Sequence, residues 1–550
     1  MRIYPNNLKS RNFGCVKAPG LNDRNQPHIS NIVSFTIDQS RELLRWPKFS
    51  FRAWGSIIFL CMLMLVSNVA MAVNLRTLYN TLDPRSVAQA LAFYELYPQS
   101  PEGEQALDRA AKLLQTKSSI VPLAPLINRL AGCTEQLDET QLVLVENLGS
   151  IFPNRKLKGY LAQSEEELFA LPPEEIDLGK ALILSQMDEN AAAAARNYSA
   201  LLDLMALQIK GRLPELASAE QKIKEMNRFI FQEMHFRFPP QSIHAKEIDL
   251  YTFLPSVMDN HLGVCLGVTA LYLAIAQRLD LPLEIVTPPG HIYVRYNDGK
   301  QLINIETTAR GVNMPSESYL GVNTRRLQLR TIKEVVGMTH VNQASVYLNT
   351  EQFSKALTAY EKARPYMYDD PLVKELLAYT YLFEGRKDEG RSLLEEVKDV
   401  IPDHAVCGHM LAKDYLYGKV DEEGIKAVFS QVDHSRASIV AKQERLKATL
   451  EKHPDFRDGL QQLAVCWVQL NRAKEAIELL ERYHAICPKD ATVNYYLAVL
   501  HGERCDYKSC WAYLLEAEQL VKERSFYPKA LRELRQELSF ICPESIDLEE

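Results

Sequence analysis

The chain has 550 residues, a length that sets an expectation of two to four domains, and its 47 % apolar and 24 % charged composition is that of a globular protein with ample core. A net charge of −7 without any Lys/Arg-rich run argues against a nucleic-acid footprint. Ten cysteines with no CxxC pair and no Cys/His zinc spacing argue against a metal centre. No metal and no cofactor are expected.

Residues 1–52 form a polar leader that ends in a basic stretch holding Arg41, Arg45, Lys48 and Arg52. The next segment, residues 53–75, reads AWGSIIFLCMLMLVSNVAMAVNL and carries no charge. Ile57 to Val66 has the length of a signal-peptide core, and Ala70-Met71-Ala72 fits a small-residue cleavage site. The whole run is also long enough to span a bilayer, and a buried core helix is the third reading. Because the positive charges precede the run, the rest of the chain is expected on the far side of a membrane. The expectation is a protein exported or membrane-anchored through residues 53–75, facing the cell envelope or periplasm rather than the cytoplasm.

Residues 76–169 read as helical. SVAQALAFYELYP and EQALDRAAKLLQ place apolar residues three and four apart, and AEQKIKEMNRFIFQEMHF does so again further on. Proline pairs at 172–173 and 239–240 punctuate the pattern. The alanine-rich patch AAAAAR at 191–196 is strongly helix-forming and needs no function.

GVCLGVTALYLAIAQRL, residues 263–279, puts Cys265 at the first turn of a predicted helix. A cysteine there is either a small apolar residue at a buried helix start or a thiol whose anion is favoured by the helix dipole and free N–H groups. The next segment helps to decide. HIYVRYNDGKQLINIE, residues 291–306, predicts two alternating strands around Asp298-Gly299, a hairpin signal. With those two residues as the loop, Asn297 faces Lys300, Val294 faces Ile303, and His291 faces Glu306. Ile292, Val294, Ile303 and Ile305 then form the core face, and His291, Tyr293, Asn304 and Glu306 the other. A thiol, an imidazole and a carboxylate in this order suit a nucleophile, a base and the group that orients the base. The TPPG at 287–290 would stiffen the approach to His291. Read singly, His291 suits a structural hydrogen bond and Glu306 a solvated rim.

Asn260 is a candidate oxyanion donor beside the Cys265 backbone N–H, with loop capping as its plainer role. Tyr293 reads as site wall, and Arg310 as a weak substrate-binding candidate.

From about residue 340 a period of 34 appears. Ala344, Ala378 and Ala412 share it, as do Tyr347, Tyr381 and Tyr415, and Leu348, Leu382 and Leu416. A second register relates Leu463 to Leu497, Ala464 to Ala498, Pro454 to Pro488 and Leu480 to Leu514. Ala412 and Ala464 are one repeat plus about 18 residues apart, which places an insertion within 420–450. The tyrosine stripe is expected at the seam between helices. Cys505 and Cys510 read as helix-packing residues, with a disulfide as the alternative.

The GVC helix start, GHIYVRY and NIETT together resemble the transglutaminase-like superfamily, relatives of papain-type cysteine proteases. Residues from about 170 to 325 resemble the SirB1-type transglutaminase-like domain more narrowly, and the 34-residue period resembles tetratricopeptide repeats. The resemblance implies Cys265 as nucleophile, His291 as base and Glu306 as the acid, where the superfamily usually carries Asp. It implies an α+β papain/transglutaminase-like core with a small antiparallel sheet over 170–335, then an all-α tetratricopeptide superhelix over 338–540. Expected activities are cysteine-dependent acyl transfer or amide hydrolysis, with a protein or peptide partner in the repeat groove. The alternative is a catalytically inactive scaffold or binding protein.

Overall fold

The computed structural model describes residues 75–129, 136–187, 190–239, 251–408, 410–433, 435–522, 524 and 526–543. The leader and nearly all of the apolar run at 53–75 lie outside the described residues. Among those described, no helix is long and apolar enough to cross a membrane.

Short helices dominate the first part, and their ends follow local chemistry. Ser86 and Ser100 cap helices Val87–Leu96 and Pro101–Leu113 by accepting from the Gln89 and Gly103 N–H groups. Asp138 and Gln141 form a reciprocal capping box at the start of helix Glu139–Gly149. The alanine run opens the long helix Ala191–Lys210, which is buried along most of its length. That helix is tied to helix Cys265–Arg278 by a fully buried ion pair, Asp203 to Arg278 Nε at 2.7 Å, and Arg155 closes on the same carboxylate. One apolar core runs unbroken from Tyr79 to Val373. The early helices, the segment around Cys265 and the first repeat helix therefore share a single interior.

The sheet has four antiparallel strands in the order β3-β2-β1-β4: β1 Glu284–Thr287, β2 Tyr293–Asn297, β3 Leu302–Ile305 and β4 Gln328–Arg330. The hairpin is present, but its register differs from the expected one. Asn297 pairs with Leu302 and Val294 with Ile305, so residues 298–301 form the loop. The cause is side-chain capping. Asp298 Oδ1 accepts from the N–H groups of Lys300 and Gln301, at 2.9 and 2.7 Å, and Asn297 Oδ1 accepts from Gly299 N–H. A shift of two residues preserves the faces, because side chains alternate with period two. Val294, Ile303 and Ile305 therefore remain together, as do Tyr293 and Asn304.

Paired helices follow: Ile332–Asn349 with Phe353–Ala363 and Pro371–Phe383 with Lys387–Val397, and then the shorter Leu411–Leu416 and Glu422–Phe429. Two later pairs are Arg457–Gln469 with Ala473–Ile486 and Ala491–Glu503 with Tyr507–Val521. The insertion is an extra helix, Arg436–Lys452, whose Ile439, Leu446 and Leu450 join the repeat core. Tyr381 and Tyr415 are buried in the seam, with hydroxyls donating to Glu361 and Glu422, whereas Tyr347 is half-buried. Cys510 is buried, Cys505 exposed, and both are free thiols.

Candidate active site

Helix Cys265–Arg278 starts where the chain presses hard on its neighbours. A Cβ on Gly267 would lie 2.3 Å from the Tyr251 carbonyl oxygen and 2.8 Å from Val257 Cγ2, so only glycine fits. The residue before the helix, Val264, is extended, offers no side-chain cap, and donates its N–H to that same Tyr251 carbonyl at 2.9 Å. The positive end of the helix dipole is thus left uncapped at Cys265, its first residue.

His291 arrives from the proline loop. Gly290 takes a φ of 73°, and the His291 N–H closes the turn onto the Pro288 carbonyl at 3.0 Å. The residue lies just ahead of β2, and Glu306 just past β3, so the imidazole reaches the carboxylate diagonally across the hairpin rather than from a directly opposed position. His291 Nε2 donates to Glu306 Oε2 at 2.7 Å. The Cys265 side chain lies beside the ring, and both open onto one cavity.

Glu306 is held at both oxygens. Oε1 accepts from the Thr308 N–H at 3.1 Å and from the Thr308 hydroxyl at 2.6 Å, while Oε2 accepts from the Tyr319 hydroxyl at 2.6 Å. Tyr319 stacks on Tyr293 with ring centroids 4.5 Å apart and lies parallel to His291 at 5.9 Å. Thr269 and Thr307 share a hydroxyl bond of 2.9 Å that pins the nucleophile's helix to the turn after Glu306.

These contacts set the charges. For Glu306, burial pushes the carboxyl up, but hydrogen bonds and charge from His291, then Thr308 and Tyr319, outweigh it and hold the group down at about 2. For His291, burial pulls the ring down, and the hydrogen bonds and charges of Cys265 and Glu306 overcome it, raising the ring to about 10. The balance favours the protonated ring, paired with the Glu306 carboxylate.

The other candidates occupy different settings. Asn260 is exposed at the end of helix Leu254–Asn260, and its amide donates to the Ser256 carbonyl at 2.9 Å. Tyr293 is fully buried beneath Tyr319. Arg310 is exposed with φ 58° in the turn after Glu306. Sequence reading missed Tyr319 and Thr308 as carboxylate partners. Thr308 sits in the NIETT motif two residues from Glu306, which is a usable signal. Tyr319 is thirteen residues away in an irregular stretch and gives none. No cluster of metal-ligating side chains occurs among the described residues.

Cys265 and His291 open onto a cavity of about 280 Å³ lined also by β4, the proline loop and the first repeat helices.

Residues 196–330 match the family model of the transglutaminase-like superfamily. Two UPF0162 proteins of Xylella fastidiosa, from strain 9a5c and strain Temecula1 / ATCC 700964, are each 23 % identical over 266 residues, covering 44 % of this chain and 92 % of the relative. Among solved structures, MamA 41-end from Desulfovibrio magneticus RS-1 is 13 % identical with a TM-score of 0.19, covering 34 % of this chain and 97 % of its own. A crystal structure of MamA protein is 12 % identical with a TM-score of 0.19, covering 35 % and 98 %. At such scores the likeness adds nothing to the repeat assignment, which rests on the 34-residue spacing and the paired helices. The matched segment holds Cys265, His291, Glu306 and the whole sheet, and residues 196–330 are a transglutaminase-like domain followed by tetratricopeptide-like helical repeats.

Proposed function

We propose that this chain is a cysteine-dependent acyl-transfer enzyme or amide hydrolase that works through Cys265, His291 and Glu306. The observation that carries the reading is Cys265 at an uncapped helix start, sharing one cavity with His291, whose ring is bonded to a carboxylate with all its lone pairs directed. The Cys265 sulfur attacks the carbonyl carbon of an amide, forming a C–S bond and pushing the carbonyl electrons onto oxygen. The uncapped helix start supports that oxyanion through the dipole and backbone N–H groups. As the tetrahedral centre collapses the C–N bond breaks, His291 gives its proton to the departing amine, and a thioester remains. Water or a second amine then attacks the thioester with His291 taking its proton, and Cys265 leaves with the C–S electrons. Glu306 keeps the ring oriented and its charge balanced throughout.

The reading is tested by the rate of iodoacetamide labelling at Cys265 against pH, in the wild type and in His291→Ala. An activated site labels rapidly near and below pH 7, and the histidine substitution removes the advantage. If the two profiles coincide and both rise only in the alkaline range of an ordinary thiol, the enzymatic reading is wrong. An inactive scaffold then takes its place.

The repeats supply a surface for a protein or peptide partner, as stacked helix pairs do. The basic leader and uncharged run at 53–75 support export or membrane anchoring of the remainder. Fractionation with protease protection tests this, and an uncleaved chain found wholly in soluble cytosol would refute it. An oxidising compartment would require Cys265 to be kept reduced, a cost that a cytosolic orientation would not impose.

A further inference from the structure

The cavity beside Cys265 belongs to two parts of the chain. Leu266 and Ile292 line its inner end next to the nucleophile and the base. The remaining apolar walls come from the repeats: Met338 and Val341 on helix Ile332–Asn349, Leu372 and Val373 at the start of helix Pro371–Phe383, and Val397 and Val400 beyond it. The roof is a backbone clasp between the segment before β4 and the loop after the second repeat. Arg325 N–H donates to the His404 carbonyl at 2.8 Å, Val406 N–H donates to the Asn323 carbonyl at 3.2 Å, and Thr324 bridges Ala405. Arg524, late in the superhelix, donates to the Val322 carbonyl and anchors the same segment.

The charged side chains at the cavity pair mainly within the protein, although the buried Arg330 Nε has no partner among the described residues. Arg330 pairs with Glu334 at 2.7 Å and with Asp370 at 2.6 Å. Asp370 also accepts from the Leu372 and Val373 N–H groups, capping its helix, and Glu375 accepts from the Tyr379 hydroxyl at 2.6 Å. Asn342 donates to the Thr252 hydroxyl at 2.8 Å. An ionised ligand would meet charges already largely neutralised by these pairs, whereas an apolar one would displace water from apolar walls.

We propose that this cavity is the substrate pocket of the Cys265 site, that it selects an uncharged apolar group attached next to the reacting carbonyl, and that the repeats build most of its wall. The proposal rests on the catalytic reading only for the identity of the reacting carbonyl. Its volume, about 280 Å³, is near the lower end of small-molecule sites, which run from about 300 Å³. A side chain or short acyl tail fits that size. The repeats thereby act as specificity elements for the neighbouring domain as well as a partner surface.

The test uses the full chain and three alkylating probes read by mass spectrometry at the Cys265 peptide: iodoacetamide, N-hexyl-iodoacetamide, and the hexyl probe bearing a terminal carboxylate. Each rate is divided by the same probe's rate with a free small thiol. Burial of apolar surface is worth about fourfold per methylene when complete, so a partly buried hexyl chain is expected to label about 10- to 100-fold faster than iodoacetamide. The carboxylate probe should lose that gain. Val341→Trp, on one repeat helix, and Leu372→Phe, on another, should each bring the hexyl advantage, taken as the ratio to iodoacetamide on the same variant, towards unity, and an unchanged thermal midpoint shows the chain still folded. A hexyl probe no faster than iodoacetamide, a carboxylate probe equal to the plain hexyl one, or an advantage that survives both filling substitutions would overturn the proposal. Because the readout is a ratio of probes on one cysteine, it is independent of His291. Failure of the catalytic reading appears instead as an iodoacetamide rate indifferent to His291→Ala.

Discussion

Replacing Tyr319 by Phe removes one hydroxyl and keeps the ring. The lost contact is a 2.6 Å hydrogen bond to the buried Glu306 carboxylate, and the stacking on Tyr293 and His291 is retained. A hydrogen bond to a charged group contributes about 1.5–3 kcal/mol, and Glu306 keeps three other donors, so the expected loss of stability at pH 7 is about 1–2 kcal/mol. The sign of its pH dependence follows from the carboxyl. Glu306 is depressed from 4.5 to about 2, with Tyr319 among the causes, so this stabilisation is complete above about 4.5 and disappears as pH falls towards 2. Urea unfolding of wild type and Tyr319→Phe at pH 7 and at pH 3 should therefore show a difference that shrinks in acid. A second readout separates positioning from mere stability: the variant should lose part of the pH advantage of Cys265 labelling, because a less firmly held carboxylate supports His291 less. Equal stability at pH 7 together with an unchanged labelling profile would refute the reasoning, since the bond would then be doing nothing for the carboxylate.

Other substitutions probe the scaffold and the charges. Gly267→Ala forces a methyl against the Tyr251 carbonyl and should cost about 1–3 kcal/mol, with slower Cys265 labelling as the helix start shifts; thermal unfolding and labelling rates check it. Tyr381→Ala empties a buried seam position and should cost about 3–5 kcal/mol in urea unfolding, whereas an unchanged midpoint would place the stripe at the surface. Across pH, the His291 contribution to stability should be complete below about 6.5 and fall away as pH rises through about 10, because the folded ring holds its proton more tightly than the unfolded one. Denaturant titrations of wild type and His291→Gln should converge at alkaline pH, and a gap that widens there would show the opposite linkage.

Local chemistry made much of this molecule legible in the sequence. A 34-residue period of small and aromatic residues is readable because each repeat buries the same faces against its neighbours, and the extra helix Arg436–Lys452 accounts for the residues that broke the period. Cys265 at a helix start, and His291 and Glu306 on one face of a hairpin, were readable because helix and strand periods place side chains without any knowledge of what surrounds them. Even with the loop two residues longer than expected, the faces survived, since only an odd slip inverts a strand. The diagonal reach of His291 was not readable, because Asp298 capping two backbone N–H groups is a choice between turns of similar cost. Strands β1 and β4 are too short to show alternation, and they exist because the hairpin edge needs partners. Tyr319 reaches Glu306 from an irregular segment, and Asn260 turns back onto its own helix; neither direction is encoded in spacing. The substrate cavity is furthest from the sequence. It arises where Val341, Leu372 and Val397, unremarkable helix residues in three separate segments, come within reach of Cys265. Only the packing of the repeats onto the shared core, which no local period specifies, brings them there.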